Sequence, residues 1–181
     1  MGQSLFPAYL IVGDPFLAAG KSEALLQEIS KEISSEVAVK SADLIETSLE
    51  ILLTEARTLP FLASGQIFFL QNAESLKAKS IEVLEQYLAS PSAVSFLIFK
   101  AAVLEKDHPL AKLLTVKGKV YFLDPLEKKS AQARLVREKL SQAGKTITPE
   151  ASRKLEEQMG GVPGLLVSLL DQLILYSGGQ R

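Results

Sequence analysis

The stretch best equipped for chemistry is Gly13-Asp-Pro-Phe-Leu-Ala-Ala-Gly20-Lys21-Ser22, which follows a short apolar run. Its Gly-Lys-Ser ending looks like a Walker A loop, G-x-x-x-x-G-K-[ST]. Such a loop cradles phosphate with backbone N–H groups and reaches the outer phosphates with its lysine. The first glycine of that pattern belongs at position 15, which is Pro15; Gly13 comes too early. Pro15 offers no N–H, and Asp14 places a carboxylate where an anion would sit. The second half of such a site is a strand ending in an Asp that holds Mg²⁺. The candidate strand Ile67 to Leu70 runs instead into Gln71-Asn72-Ala73-Glu74. The spacing predicts a degenerate phosphate loop at Gly13, Pro15, Gly20, Lys21 and Ser22, with no nucleotide and no metal. The segment reads better as a helix start, with Lys21 and Ser22 an exposed pair on its flank.

Other chemistry is scarce. The chain has no Cys and one His, His108. That excludes disulfide scaffolds, thiolate metal sites and thiol catalysis, and it leaves no second imidazole. His108 before Pro109 reads as a surface residue at a helix start, and Glu156-Glu157 as helix surface. No paired carboxylates point to a shared catalytic pocket. Lys128, Lys129, Arg134 and Arg137 form a mildly basic helix, either a solvated face or a phosphate contact.

The elements that must position these residues alternate. Apolar runs at 8–13, 36–39, 66–71, 94–99 and 120–123 read as strands. Amphipathic periodicity predicts helices after Asp14-Pro15, over 44–59, over 80–88 and over 109–114. Near-continuous apolar strands separated by helices imply a five-stranded, mainly parallel sheet covered on both faces. After Asp124-Pro125 the pattern turns helical. A helix over 127–143 is stopped by Gly144. A second is capped by Thr148 and stopped by Gly160-Gly161, and a third spans 163–176 with Leu166, Leu169, Leu170 and Leu173 inward. The reading is an α/β module over 1–126 and a three-helix module over 127–181. Charge divides likewise, net −4 through Leu126 and +3 beyond.

The 181 residues are 47% hydrophobic and 23% charged, with a net charge of −1. This is globular composition, and it excludes a strongly basic nucleic-acid coat and an acidic tail protein. No signal-peptide pattern opens the chain, and no apolar run approaches the roughly 20 residues of a membrane helix. The expectation is a cytoplasmic protein with no membrane contact.

Several segments, taken in order, resemble the delta subunit of the bacterial DNA polymerase III clamp loader. They are Tyr9-Leu-Ile-Val-Gly-Asp-Pro-Phe-Leu17 without a working Walker A, then Thr58-Leu-Pro-Phe-Leu-Ala-Ser64. Ile67 to Glu74 and Tyr87-Leu-Ala-Ser-Pro-Ser92 follow, then Ile147-Thr-Pro-Glu-Ala151 and Leu173-Ile-Leu-Tyr-Ser-Gly178. The resemblance implies an AAA+-type α/β domain with its first strand central, then a helical lid. It implies a non-catalytic subunit of a nucleotidyltransferase complex, needing no cofactor, that binds and opens the sliding clamp (the beta subunit) in DNA replication. Its other partners would be the remaining clamp-loader subunits, delta prime and gamma/tau, and primer-template DNA within the complex. Family members continue past the point equivalent to Arg181 into a helical collar domain that builds the pentameric ring; the expectation here is of the first two domains with the collar domain absent.

The implied clamp-binding residues are Phe61 and Leu62, with Leu59 and Pro60 setting their direction. The family pair is usually Leu then Phe, the reverse of the order here, and Gly65 replaces a common Arg. From the pattern alone, a core position below Ile67 to Leu70 is the better reading of Phe61 and Leu62; the resemblance turns it toward clamp contact, and solvent exposure distinguishes the two. The small residues Ala63, Ser64 and Gly65 are expected to let a partner surface approach. Two alternatives compete with the clamp subunit. One is a nucleotide-dependent P-loop ATPase or kinase with a variant loop, dependent on Lys21; the other is a generic interaction module.

Overall fold

The computed structural model describes residues 5–33, 36–123, 129–158 and 163–177; at 129–135, 156–158 and 163–166 the description is of the backbone alone. The chain divides into two compact units, Met1–Leu123 and Asp124–Arg181.

The first unit is built on five strands: β1 (Ala8–Val12), β2 (Val37–Asp43), β3 (Gly65–Gln71), β4 (Ser95–Ala101) and β5 (Lys119–Phe122). They form one parallel sheet in the order β2-β3-β4-β1-β5, as the alternation of strand and helix patterns implied. β4 stands in the middle, and β1 lies beside it between β4 and β5. The apolar strands are apolar because both faces are covered. Every residue of β1 is buried. On one face α2 (Leu49–Ala56), α3 (Ala78–Ala89) and α4 (Pro109–Lys117) bury Leu52, Leu53, Leu84, Tyr87, Leu110 and Leu114 against Leu10, Phe68, Leu97 and Phe99. On the other, α1 (Pro15–Ile33) sets Ala18, Leu25 and Ile29 on Tyr9, Ile11, Ile67 and Ile98.

Among the boundaries that differ from the sequence reading, two have a clear local cause. β2 runs on to Asp43 rather than ending at Val39, because an edge strand can keep exposed polar residues such as Lys40 and Ser41 while its backbone pairs with β3. The helix expected from Leu44 starts at Leu49. Asp43 diverts the chain first: its Oδ1 accepts from Ile45 N at 2.9 Å and its carbonyl from Thr47 N at 2.8 Å, an Asx-type turn. Leu44 still packs on the core, but from the turn.

The second unit holds α5 (Lys129–Gln142), α6 (Pro149–Gln158) and α7 (Pro163–Tyr176) around Val136, Leu140, Leu155 and Leu170. Gly144 ends α5 in the left-handed region at φ 66°. Lys145 N donates to Leu140 O at 2.8 Å and Gly144 N to Ser141 O at 3.0 Å, the Schellman pattern. Thr148 Oγ1 caps α6 by accepting from Ala151 N at 3.3 Å. Leu169 is partly buried, but Leu173, expected inward, is 44% exposed; Val167 and Leu170 take the inner stripe. The stops read at Asp124-Pro125 and Gly160-Gly161 and the end at Gly178 lie outside the described residues, as does the side chain of Leu166.

Candidate functional site

Gly13 leaves β1 at φ 138°, and its N–H donates to Ala101 O at 3.0 Å. Asp14 then caps α1: Oδ1 accepts from Phe16 N at 2.9 Å and Leu17 N at 3.2 Å, with Pro15 at the first helical position. The amides that would face a phosphate already face a carboxylate. Lys21 lies over the Tyr121 ring, 3.9 Å from its centroid. Ser22 is buried, not the exposed flank residue expected, and its hydroxyl donates to Ala18 O at 2.7 Å. Gly20 has open space where a side chain would be and meets no tight approach. The residues of the loop serve the helix they begin.

At the same end of the sheet, Asn72 follows β3 in the left-handed region at φ 55°. Its Nδ2 donates to both oxygens of Asp43, at 2.9 and 2.8 Å. Those bonds and the Ile45 N–H hold the Asp43 carboxyl below its ordinary pKa, because each favours the ionised form. This pair escaped the sequence reading; its signal was a carboxylate and an amide at the ends of two strands. A cavity of about 330 Å³ beyond β4 is lined by Glu74, Glu105, Asp107 and His108, an acidic setting adverse to phosphate. His108 caps α4, Nδ1 accepting from Leu110 N at 3.2 Å. Among the described residues, no group of three or more His, Asp and Glu side chains is placed to hold a metal ion.

The apolar tip lies between α2 and β3. Phe61 is 90% exposed, Leu62 84% and Leu59 77%, so none of the three is core, and the alternative of packing below Ile67 to Leu70 is excluded. Leu62 has φ 62°, a conformation costing a branched side chain about 1–2 kcal/mol. Pro60 stands half-buried between the exposed residues, and α2 has already ended at Ala56. The strain and the exposure thus fall on one residue, a combination that clusters at functional surfaces.

The feet of this tip are fixed from below. Gln66, near the start of β3, and Ser95, at the start of β4, are buried and stand opposite each other in register. Gln66 Nε2 donates to Thr58 O at 2.8 Å and Ser95 Oγ at 2.9 Å; Ser95 Oγ donates to Ala56 O at 2.6 Å. Arg57 lies 5.0 Å from the Tyr87 ring and donates to Ser90 O at 3.5 Å. Gly65 is buried, so its smallness serves the interior rather than a visiting partner: a Cβ there would stand 2.7 Å from Ile33 Cδ1 and 3.3 Å from Val94 O. Sequence reasoning missed Gln66 and Ser95, since their partners are carbonyls distant along the chain.

In the second unit, Arg137 is exposed. Lys128 and the side chains of Lys129 and Arg134 lie outside the described residues. No helix among the described residues is long and apolar enough to cross a membrane.

No curated protein matches the chain. Among solved structures, the Bacillus subtilis DNA clamp loader delta protein (YqeN) is similar at TM-score 0.65 and 19% identity, over 97% of this chain and 55% of that one. The Thermotoga maritima RuvB Holliday junction branch migration motor is similar at TM-score 0.56 and 17% identity, over 91% of this chain and 53% of that one. The chain therefore spans about half the length of these structures. At such identities the likeness establishes the fold, an α/β sheet of AAA+ type. The family described as DNA polymerase III, delta subunit, matches residues 9–122. With that match over most of its length, the chain belongs to the DNA polymerase III delta subunit family.

Proposed function

We propose that this protein is a non-catalytic clamp-loader subunit that binds the sliding clamp through Leu59, Pro60, Phe61 and Leu62 and opens it. The observation that carries the reading is the exposure of two adjacent large apolar side chains, Phe61 and Leu62, on a strained tip. A protruding apolar pair fits a hydrophobic pocket, and burying one such side chain contributes about 1.5–3 kcal/mol. The tip opens a ring only to the extent that it binds the open form better than the closed one. The remaining clamp-loader subunits, delta prime and gamma/tau, would be its neighbours in the assembly, primer-template DNA its further contact there, and the cytoplasm its place of work.

The P-loop ATPase or kinase alternative finds no support in the site. Asp14 fills the anion position, Pro15 withholds an amide, and Lys21 and Ser22 are engaged by Tyr121 and Ala18. The test is binding to an immobilised sliding clamp from the same organism. The intact protein should bind, and the double variant Phe61→Ala with Leu62→Ala should lose at least about a hundredfold in affinity, as expected for two anchors in a pocket. Equal binding by both proteins would refute the assignment of the tip.

A further inference from the structure

The segment from Thr58 to Ser64 is an arch on two feet. At one foot Ser64 N donates to Glu36 O at 3.0 Å. At the other, Gln66 Nε2 donates to Thr58 O and lies 3.4 and 3.5 Å from the carbonyls of Glu55 and Ala56. Between the feet, among the described residues, Leu59 to Ala63 take part in no backbone hydrogen bond. The direction in which Leu59, Phe61 and Leu62 point is therefore set at the feet.

Gln66 and Ser95 are costly choices for that place. Both lie at buried positions in the sheet, where a polar side chain is tolerated only when paired. Their pairing is with the end of α2, whose last carbonyls have no helical partner of their own. Gln66 faces carbonyl oxygens, so only its N–H end fits there. Ser95 Oγ accepts from Gln66 Nε2 and donates to Ala56 O. An apolar pair would fill the space but leave Ala56 O and Thr58 O unanswered.

We propose that Gln66, backed by Ser95, is the positioning residue of the tip: it locks the end of α2 and the first foot of the arch. Phe61 and Leu62 are then presented in one orientation before the partner arrives. The proposal rests on the clamp-binding reading above. Its effect is pre-organisation. If a loosened arch holds the binding geometry about a tenth of the time, apparent affinity falls about tenfold with no contact to the partner removed.

The experiment compares the full chain with Gln66→Met, which keeps the length and loses the donor, and Gln66→Glu. Amide hydrogen exchange over 57–64, followed at the hydrogen-bonded amides of Arg57, Thr58 and Ser64, reads the arch, exchange in β1 and β4 reads the core, and affinity for the sliding clamp reads the function. Gln66→Met should speed exchange over 57–64, leave β1 and β4 protected, and weaken clamp binding about tenfold. In Gln66→Glu the ionised carboxylate would face carbonyl oxygens; burial and those oxygens raise its pKa, and protonation restores one donor. Its binding relative to the parent should therefore recover as pH falls from 8 to 6. Unchanged exchange over 57–64 in both variants would overturn the proposal. So would weaker binding that tracks faster exchange in β1 and β4 and shows no recovery at low pH. If the parent chain does not bind the clamp at all, the clamp reading falls. Exchange over 57–64 then decides the anchor alone: acceleration in Gln66→Met upholds it, and no change overturns it.

Discussion

Leu62→Gly separates a binding tip from a structural one, because the two readings assign opposite signs to the same change. Leu62 is 84% exposed, so nearly all of its side chain is left for a partner to bury, about 1.5–3 kcal/mol. At 1.4 kcal/mol per tenfold, that is a loss of roughly 10- to 150-fold in clamp affinity. Stability should move little. Leu62 at φ 62° carries strain of about 1–2 kcal/mol, which glycine removes. Against this, glycine makes the unfolded chain more flexible, at about 0.5–1 kcal/mol. The two nearly cancel, and the net change should lie within about 1 kcal/mol, more stable if anything. Leu62→Ala keeps the strain and should lose affinity to the same extent. Urea denaturation and clamp-binding titration on the three proteins make the comparison. A drop of more than about 2 kcal/mol in stability with affinity intact would show that Leu62 supports the fold and that the argument from exposure is wrong.

The first unit carries four further expected outcomes. Titration calorimetry with Mg·ATP should give no binding heat, and Asp14→Ala should cost about 1 kcal/mol of stability through the lost cap of α1; nucleotide binding that depends on Lys21 would reverse the reading of the loop. Gly118→Ala should destabilise by about 2–3 kcal/mol in thermal melts, because its Cβ would stand 2.3 Å from the carbonyl oxygen of Ala8, which belongs to a buried strand and cannot give way. Asn72→Gly should raise the Asp43 pKa toward the ordinary carboxylate value in an NMR titration. The depressed pKa means that the Asp43 interaction is fully present above the unfolded-state pKa and is lost as pH falls through the folded-state one. The variant should therefore lack that part of the acid dependence.

The inner sheet was legible because β1, β3 and β4 are apolar on both faces and each is followed by a helical period. Ala8 to Val12 and Ile67 to Leu70 admit little else, and their parallel pairing follows from the helices between them. The edge strand was legible only in part. Lys40 and Ser41 break the apolar pattern, yet the backbone pairs through Asp43. The start of α2 was hidden by the turn at Asp43, a local hydrogen bond that competes with helix and leaves the apolar spacing undisturbed. The degenerate loop was readable from Pro15 and Asp14, but the burial of Ser22 was not, since its partner is its own helix backbone. At the tip, residue types suggested an apolar pair and could not say which way it faced. That depends on Gln66 and Ser95, whose partners Thr58 O and Ala56 O come together only once β3, β4 and α2 have packed.

On the proposed reading the tip opens a ring by binding alone, with no nucleotide chemistry of its own. The measurement that reaches it most directly is energy transfer between dyes placed across one subunit interface of the sliding clamp, titrated with this protein without nucleotide. A saturable fall in transfer is expected, one that the Phe61→Ala, Leu62→Ala double variant does not produce. Binding with no change in transfer, or a change that appears only when ATP is added, would contradict it.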